Sequence, residues 1–185
     1  MNLREILHLE QSRRNIDQII KIVNSNPELF DSLWSIFIEN NNPESIRAAW
    51  AIDVLNEDLT FLDVSHLKTL VQMLPTFRHD GLKRHSLRIL ERNIIPEECE
   101  GELVSICFNW LESPDSPVAV KMYSLKILSG IADKEPSICR ELIDIIEMQM
   151  VESTPGFKSI GTKVIRKLLK LSAFQKVGKK DFNQQ

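Results

Sequence analysis

Two ten-residue segments of this chain are near copies of one another. Gly81-Leu-Lys-Arg-His-Ser-Leu-Arg-Ile-Leu90 and Ala119-Val-Lys-Met-Tyr-Ser-Leu-Lys-Ile-Leu128 share Lys, Ser, Leu, a cation, Ile and Leu in register. Weaker copies run from Ile46 to Leu55 and from Ser159 to Leu168, and the closing leucines of the four segments are 35, 38 and 40 residues apart. A period of that length marks one supersecondary unit used several times. Such a unit cannot bury its apolar face alone and must stack on its neighbours.

The segments around the copies read as helices. Ile16, Ile19, Ile20 and Val23 recur at the i, i+3, i+4, i+7 spacing of one helix face, with Ser12 as a cap and Asn24-Ser25-Asn26 as a stop. Pro27 opens a second helix through Leu33, Trp34, Phe37 and Ile38, and Pro43 a third through Ile46, Ala49, Trp50 and Val54. Further stripes run through Leu67, Leu70, Val71 and Leu74, then from Asp80 through Leu90, and beyond Pro96 through Leu103, Cys107 and Leu111. After the breaker Ser113-Pro114-Asp115-Ser116-Pro117 come Val120 to Ile131, then Ile138 to Ile146, and after Thr154-Pro155-Gly156 a last helix through Phe157, Val164 and Leu168. The 8 prolines all fall at breaks or in first turns, and 6 glycines leave little turn chemistry for a many-stranded protein. The expected fold class is all-α.

Between successive copies there is room for one other helix, so the unit is a helical hairpin. The expected layout is N-terminal capping helices over 1–26, an array over 27–171 and a flexible basic tail over 172–185. The array divides into about four degenerate hairpins at 27–58, 59–93, 96–133 and 136–171. The 118–132 helix carries apolar residues on two faces, as an internal helix should. The last helix sets Lys158, Lys163, Arg166, Lys167 and Lys170 opposite its apolar side, as a terminal unit should.

Asp115-Ser-Pro-Val-Ala-Val-Lys-Met-Tyr-Ser-Leu-Lys-Ile-Leu128 resembles the second helix of a HEAT repeat, with its Asp, its Pro, its Val-Lys and its late Leu. The resemblance to the HEAT and armadillo-like α-solenoids covers roughly residues 27 to 171, and Lys83-Arg84-His85 departs from it where small residues are usual. It implies an α-α superhelix in which first helices line a convex surface and second helices a concave one.

Motifs of catalysis are sparse. His8, His66, His79 and His85 form no His-Glu-x-x-His pattern, and no Gly-rich phosphate loop or nucleophile elbow is present. Glu97, Glu98, Glu100 and Glu102 read as the acidic opening of a helix. Trp34, Trp50 and Trp110 lie on apolar stripes and are expected in the core. Cys99, Cys107 and Cys139 are an odd set with neither disulfide nor zinc spacing, Cys107 on an apolar stripe. No catalytic residue, metal ligand or cofactor is expected. Nothing resembles a signal peptide or a spanning helix, so reduced thiols in the cytoplasm are the expectation.

The net charge of -3 hides a segregation. Residues 1–152 hold 15 basic and 25 acidic side chains, and residues 153–185 hold 8 and 1, so the two parts carry -10 and +7. First helices of the last two units are acidic, whereas second helices carry Lys83, Arg84, Arg88, Lys121, Lys126, Lys163, Arg166 and Lys167. These eight are the candidate binding residues, on a basic groove for a protein partner with an acidic segment. The alternative is DNA binding or repair, because some bacterial HEAT-like proteins of similar architecture are alkylpurine DNA glycosylases. That resemblance implies an Asp beside aromatic residues in a cationic groove, a place that Asp53, one turn from Trp50, could take. Partner identity and oligomeric state are not legible at this level.

Overall fold

The computed structural model describes residues 2–58 and 61–182, and every regular element among them is helical. They sort into two compact units, Met1–Cys99 and Glu100–Gln185.

The first unit opens with α1 (Leu3–Leu9) and α2 (Arg13–Ser25), capped by Asn2 and Ser12. Ile16, Ile19 and Val23 of α2 are fully buried, and Asn15 ties the pair together by donating to the carbonyls of Ile6 and Glu10. Pro27 starts a 3-10 turn over Pro27–Leu29, and α3 (Phe30–Ile38) begins only after it. Asn40, at φ 55, turns the chain beyond the end of α3, a conformation that asparagine tolerates better than most residues.

Helix α4 (Glu44–Leu55) is the centre of this unit, packing against α1, α2, α3 and α6 (Asp80–Arg92). Ala48, Ala49 and Ala51, all with no exposed surface, allow neighbouring backbones to approach on several sides. In chain order α5 (Val64–Met73) comes between α4 and α6, and it starts on a cap made by Asp63. The Asp63 carboxylate accepts from the His66 amide at 3.0 Å and the Ser65 hydroxyl at 2.7 Å, which holds it well below the usual carboxylate range. An aromatic cluster closes the core, with Phe37 stacked on Phe77 at 5.7 Å and edge-on to Trp34 at 5.4 Å.

The second unit contains most of α7 (Glu97–Glu112), together with α8 (Val118–Ile131), α9 (Cys139–Met150) and α10 (Pro155–Phe182). Val120, Leu125, Ile127, Leu128 and Ile131 of α8 are buried, as the two-faced pattern predicts. Helix α10 packs on both α8 and α9, and Gly161 is what lets it approach α9. A Cβ there would stand 2.9 Å from Ile146 Cγ2 and 3.0 Å from Met150 Sδ. Gly161→Val is therefore expected to destabilise the protein by about 2 kcal/mol in a denaturant melt, through overpacking. Unchanged stability would show that the approach is looser than these distances.

The tail expected from residue 172 is helical in its backbone through Phe182, since nothing after Pro155 breaks α10. Residues 183–185 lie outside the described residues.

The internal copies superimpose on burial as well as sequence. Their sixth positions, Ala51, Ser86, Ser124 and Val164, are all buried, and so are the closing leucines Leu55, Leu90, Leu128 and Leu168. The helical hairpin is thus the repeating unit, its second helix supplying a buried mid-helix contact and a terminal leucine anchor.

Candidate functional site

A concentrated polar cluster sits between α4 and α6. Asp53 follows Ile46, Ala49 and Trp50 on a buried stripe, and its side chain has no exposed surface. His85 Nδ1 lies 2.8 Å and Arg88 Nη1 2.9 Å from its Oδ2. Arg92 Nη1 donates to Oδ1 and to the Asp53 carbonyl, each at 3.0 Å. Trp50 stacks on the His85 ring at 6.3 Å between centroids.

This arrangement dictates the charge state of His85. Its side chain is 4% exposed, and the Arg84 guanidinium stands 3.2 Å from Nε2. A neutral ring with the proton on Nδ1 donates to Asp53 and accepts from Arg84, whereas an imidazolium would face that guanidinium. Burial lowers the His85 pKa, Asp53 opposes the shift, and Arg84 and Arg88 reinforce it.

A histidine held below its ordinary value of 6.5 binds its proton more weakly folded than unfolded. Its stability contribution is complete above that pH and declines as pH falls through the window between the two values. Melts between about pH 7 and pH 5 should lose stability at no more than about 1.4 kcal/mol per pH unit from this group. His85→Gln should flatten that part of the profile. A profile unchanged by the substitution would mean that His85 binds its proton equally well in the folded and unfolded chain, and a steeper loss in the variant would mean that it is charged when folded.

The cations named from sequence divide into two sets. Arg88 is engaged by Asp53, Lys83 lies 3.7 Å from Asp80, and Arg84 is exposed beside His85. In the second unit Lys121 donates to Gln149 Oε1 at 3.0 Å, and Lys126 stands 4.9 Å over the Tyr123 ring. Lys167 donates to the Ser129 carbonyl and to Asp133 Oδ2, each at 2.6 Å. Lys163 and Arg166 are exposed on α10 and form no ion pair or hydrogen bond with the side chains of the described residues.

The other candidate groups occupy structural positions. His79 caps α6, accepting from the Gly81 amide at 3.0 Å, and His85 is buried. Trp34, Trp50 and Trp110 are half-buried rather than enclosed, because each stands at the margin of its helix's apolar stripe. All three cysteines are buried and none is in a disulfide, and burial pushes the Cys107 thiol up to about 12. Among the described residues no three His, Cys, Asp or Glu side chains converge as a metal site would need, and no helix is long and apolar enough to cross a membrane.

Sequence reasoning missed the Asp53 cluster, although a signal for it existed. Aligning the copies puts Asp53, Arg88, Lys126 and Arg166 at the same eighth position. Second helices that pack side by side bring equivalent positions together, so Asp53 and Arg88, 35 residues apart, are neighbours by repetition.

Helical hairpins of near-constant length, with a buried residue at each equivalent position of their second helices, define an α-helical repeat protein. The chain belongs to the HEAT repeat domain family, which matches residues 3–168 and so takes in α1 and α2 as well. No curated protein and no solved structure matches it.

Proposed function

We propose that this HEAT-repeat protein is a noncatalytic scaffold that binds an acidic segment of a protein partner through the cations of its second helices. The observation that carries the reading is the outer face of α10, where Lys163, Arg166 and Lys170 are exposed beside Leu169, itself 55% exposed. Cations flanking an aliphatic side chain suit an acidic amphipathic segment better than a bare phosphate backbone, which offers nothing for the leucine. In the first unit Arg84 is the corresponding exposed group.

The noncatalytic part of the reading rests on how the reactive groups are held. Both Asp53 oxygens are occupied by its partners on α6, and the carboxylate is inaccessible, so it serves the packing of α4 against α6. The Cys107 thiol is buried and held protonated.

The test is fluorescence anisotropy with two labelled probes, a synthetic Glu/Leu amphipathic peptide and a short DNA duplex, at low and moderate salt. The peptide is expected to bind, and Lys163→Glu/Arg166→Glu to weaken it about tenfold or more. A duplex that binds more tightly, with a steep salt dependence lost in the same variant, would replace this reading with nucleic-acid binding. Binding of neither probe would remove it.

A further inference from the structure

The loop between α7 and α8 and the loop between α9 and α10 lie side by side in the second unit and enclose an open cleft of about 690 Å³. Three of its lining residues are large apolar side chains left in water, with Val118 43%, Met148 67% and Val151 75% exposed. The amphipathic pattern of α9 is inverted at this point. Continuing the buried stripe of Leu142, Ile145 and Ile146 leads to position 149, which holds a glutamine, while the apolar Met148 and Val151 lie off the stripe.

Gln149 is accounted for by the fold. Its amide donates to the Leu111 carbonyl and accepts from Lys121, joining α7, α8 and α9. Met148 and Val151 are not accounted for in this way. The carboxylates of the cleft, Glu112 and Glu152, are exposed and form no ion pair with the side chains of the described residues, and with the lining Lys121, which donates to Gln149 and keeps its charge, they leave the lining net negative. Asp115 and Glu147 add exposed acidic charge on the adjoining loop and helix.

We propose that this cleft is a second docking surface, for a basic amphipathic segment of a partner protein. Its aliphatic side chains would cover Val118, Met148 and Val151, and its cations would meet Glu112 and Glu152. The charge of the cleft selects the occupant: an acidic segment would be repelled by the two carboxylates, and a purely polar cation would leave the three apolar groups in water. This surface is opposite in sign to the outer face of α10 and independent of it.

The probe is a labelled Lys/Leu amphipathic peptide, with a Lys/Ser peptide of equal charge as control, read by anisotropy and by the Met148 methyl signal in NMR. The Lys/Leu peptide is expected to bind and shift that signal, and the Lys/Ser peptide to bind about tenfold or more weakly. Met148→Ser/Val151→Ser and Glu112→Gln/Glu152→Gln, all at exposed positions, should each weaken the Lys/Leu peptide by about tenfold. Lys163→Glu/Arg166→Glu should not weaken it, which separates failure here from failure of the proposed α10 surface. Equal binding of the two peptides, an unmoved Met148 signal, or insensitivity to either double substitution in the cleft would overturn the proposal.

Discussion

Asp53→Ala is expected to cost about 3–5 kcal/mol of folding stability, the range for removing one partner from a buried charged cluster. The substitution takes away a carboxylate with no exposed surface and leaves His85, Arg88 and Arg92, all on α6, without their acceptor on α4. Removing the acceptor strands these donors, and the penalty is their desolvation rather than the net value of the ion pairs. Arg88 and Arg92, each 27% exposed, can turn partly toward water, which places the expected loss toward the lower end of the range. Asp53→Asn keeps an acceptor for the imidazole but loses the charge, so it should fall between wild type and Asp53→Ala. Chemical denaturation of the three proteins at neutral pH decides the matter. A loss below about 1 kcal/mol for Asp53→Ala would show that the cluster does not hold the two second helices together.

Phe37→Ala should destabilise the first unit to a similar extent, by about 3–5 kcal/mol. The ring has no exposed surface and joins α3 to Phe77, which follows α5, by stacking at 5.7 Å, while Trp34 meets its edge. Truncation removes the apolar transfer contribution and leaves a cavity walled by rings that cannot readily collapse into it. Phe37→Leu should recover more than half of the loss by refilling volume. If Phe37→Ala and Phe37→Leu were equally unstable, ring geometry rather than volume would be the determinant.

These two sites show how differently features of this chain could be foreseen. Phe37 stands on an i, i+3, i+4 stripe with Leu33 and Trp34, and its burial follows from that spacing. Asp53 also continues a stripe, behind Ile46, Ala49 and Trp50, but periodicity does not say what neutralises a buried carboxylate. The answer lies 32 to 39 residues further on, in His85, Arg88 and Arg92. Likewise, the eight cations on second helices are equivalent in sequence, yet Lys167 is engaged by Asp133 and Ser129 while Lys163, one turn earlier, is exposed.

Helix identity, break points and the hairpin period are local properties. They depend on side-chain spacing within about two turns and on where proline and asparagine interrupt it, and they can be read from the chain before it folds. The family match over residues 3–168 spans all four copies of the repeated segment. Whether a charged residue stays available to a partner depends instead on which groups the packing of helices brings within about 3 Å of it. For Asp53 and the cations around it, and for the exposed apolar lining at Met148 and Val151, that information exists only once helices distant in sequence have come together.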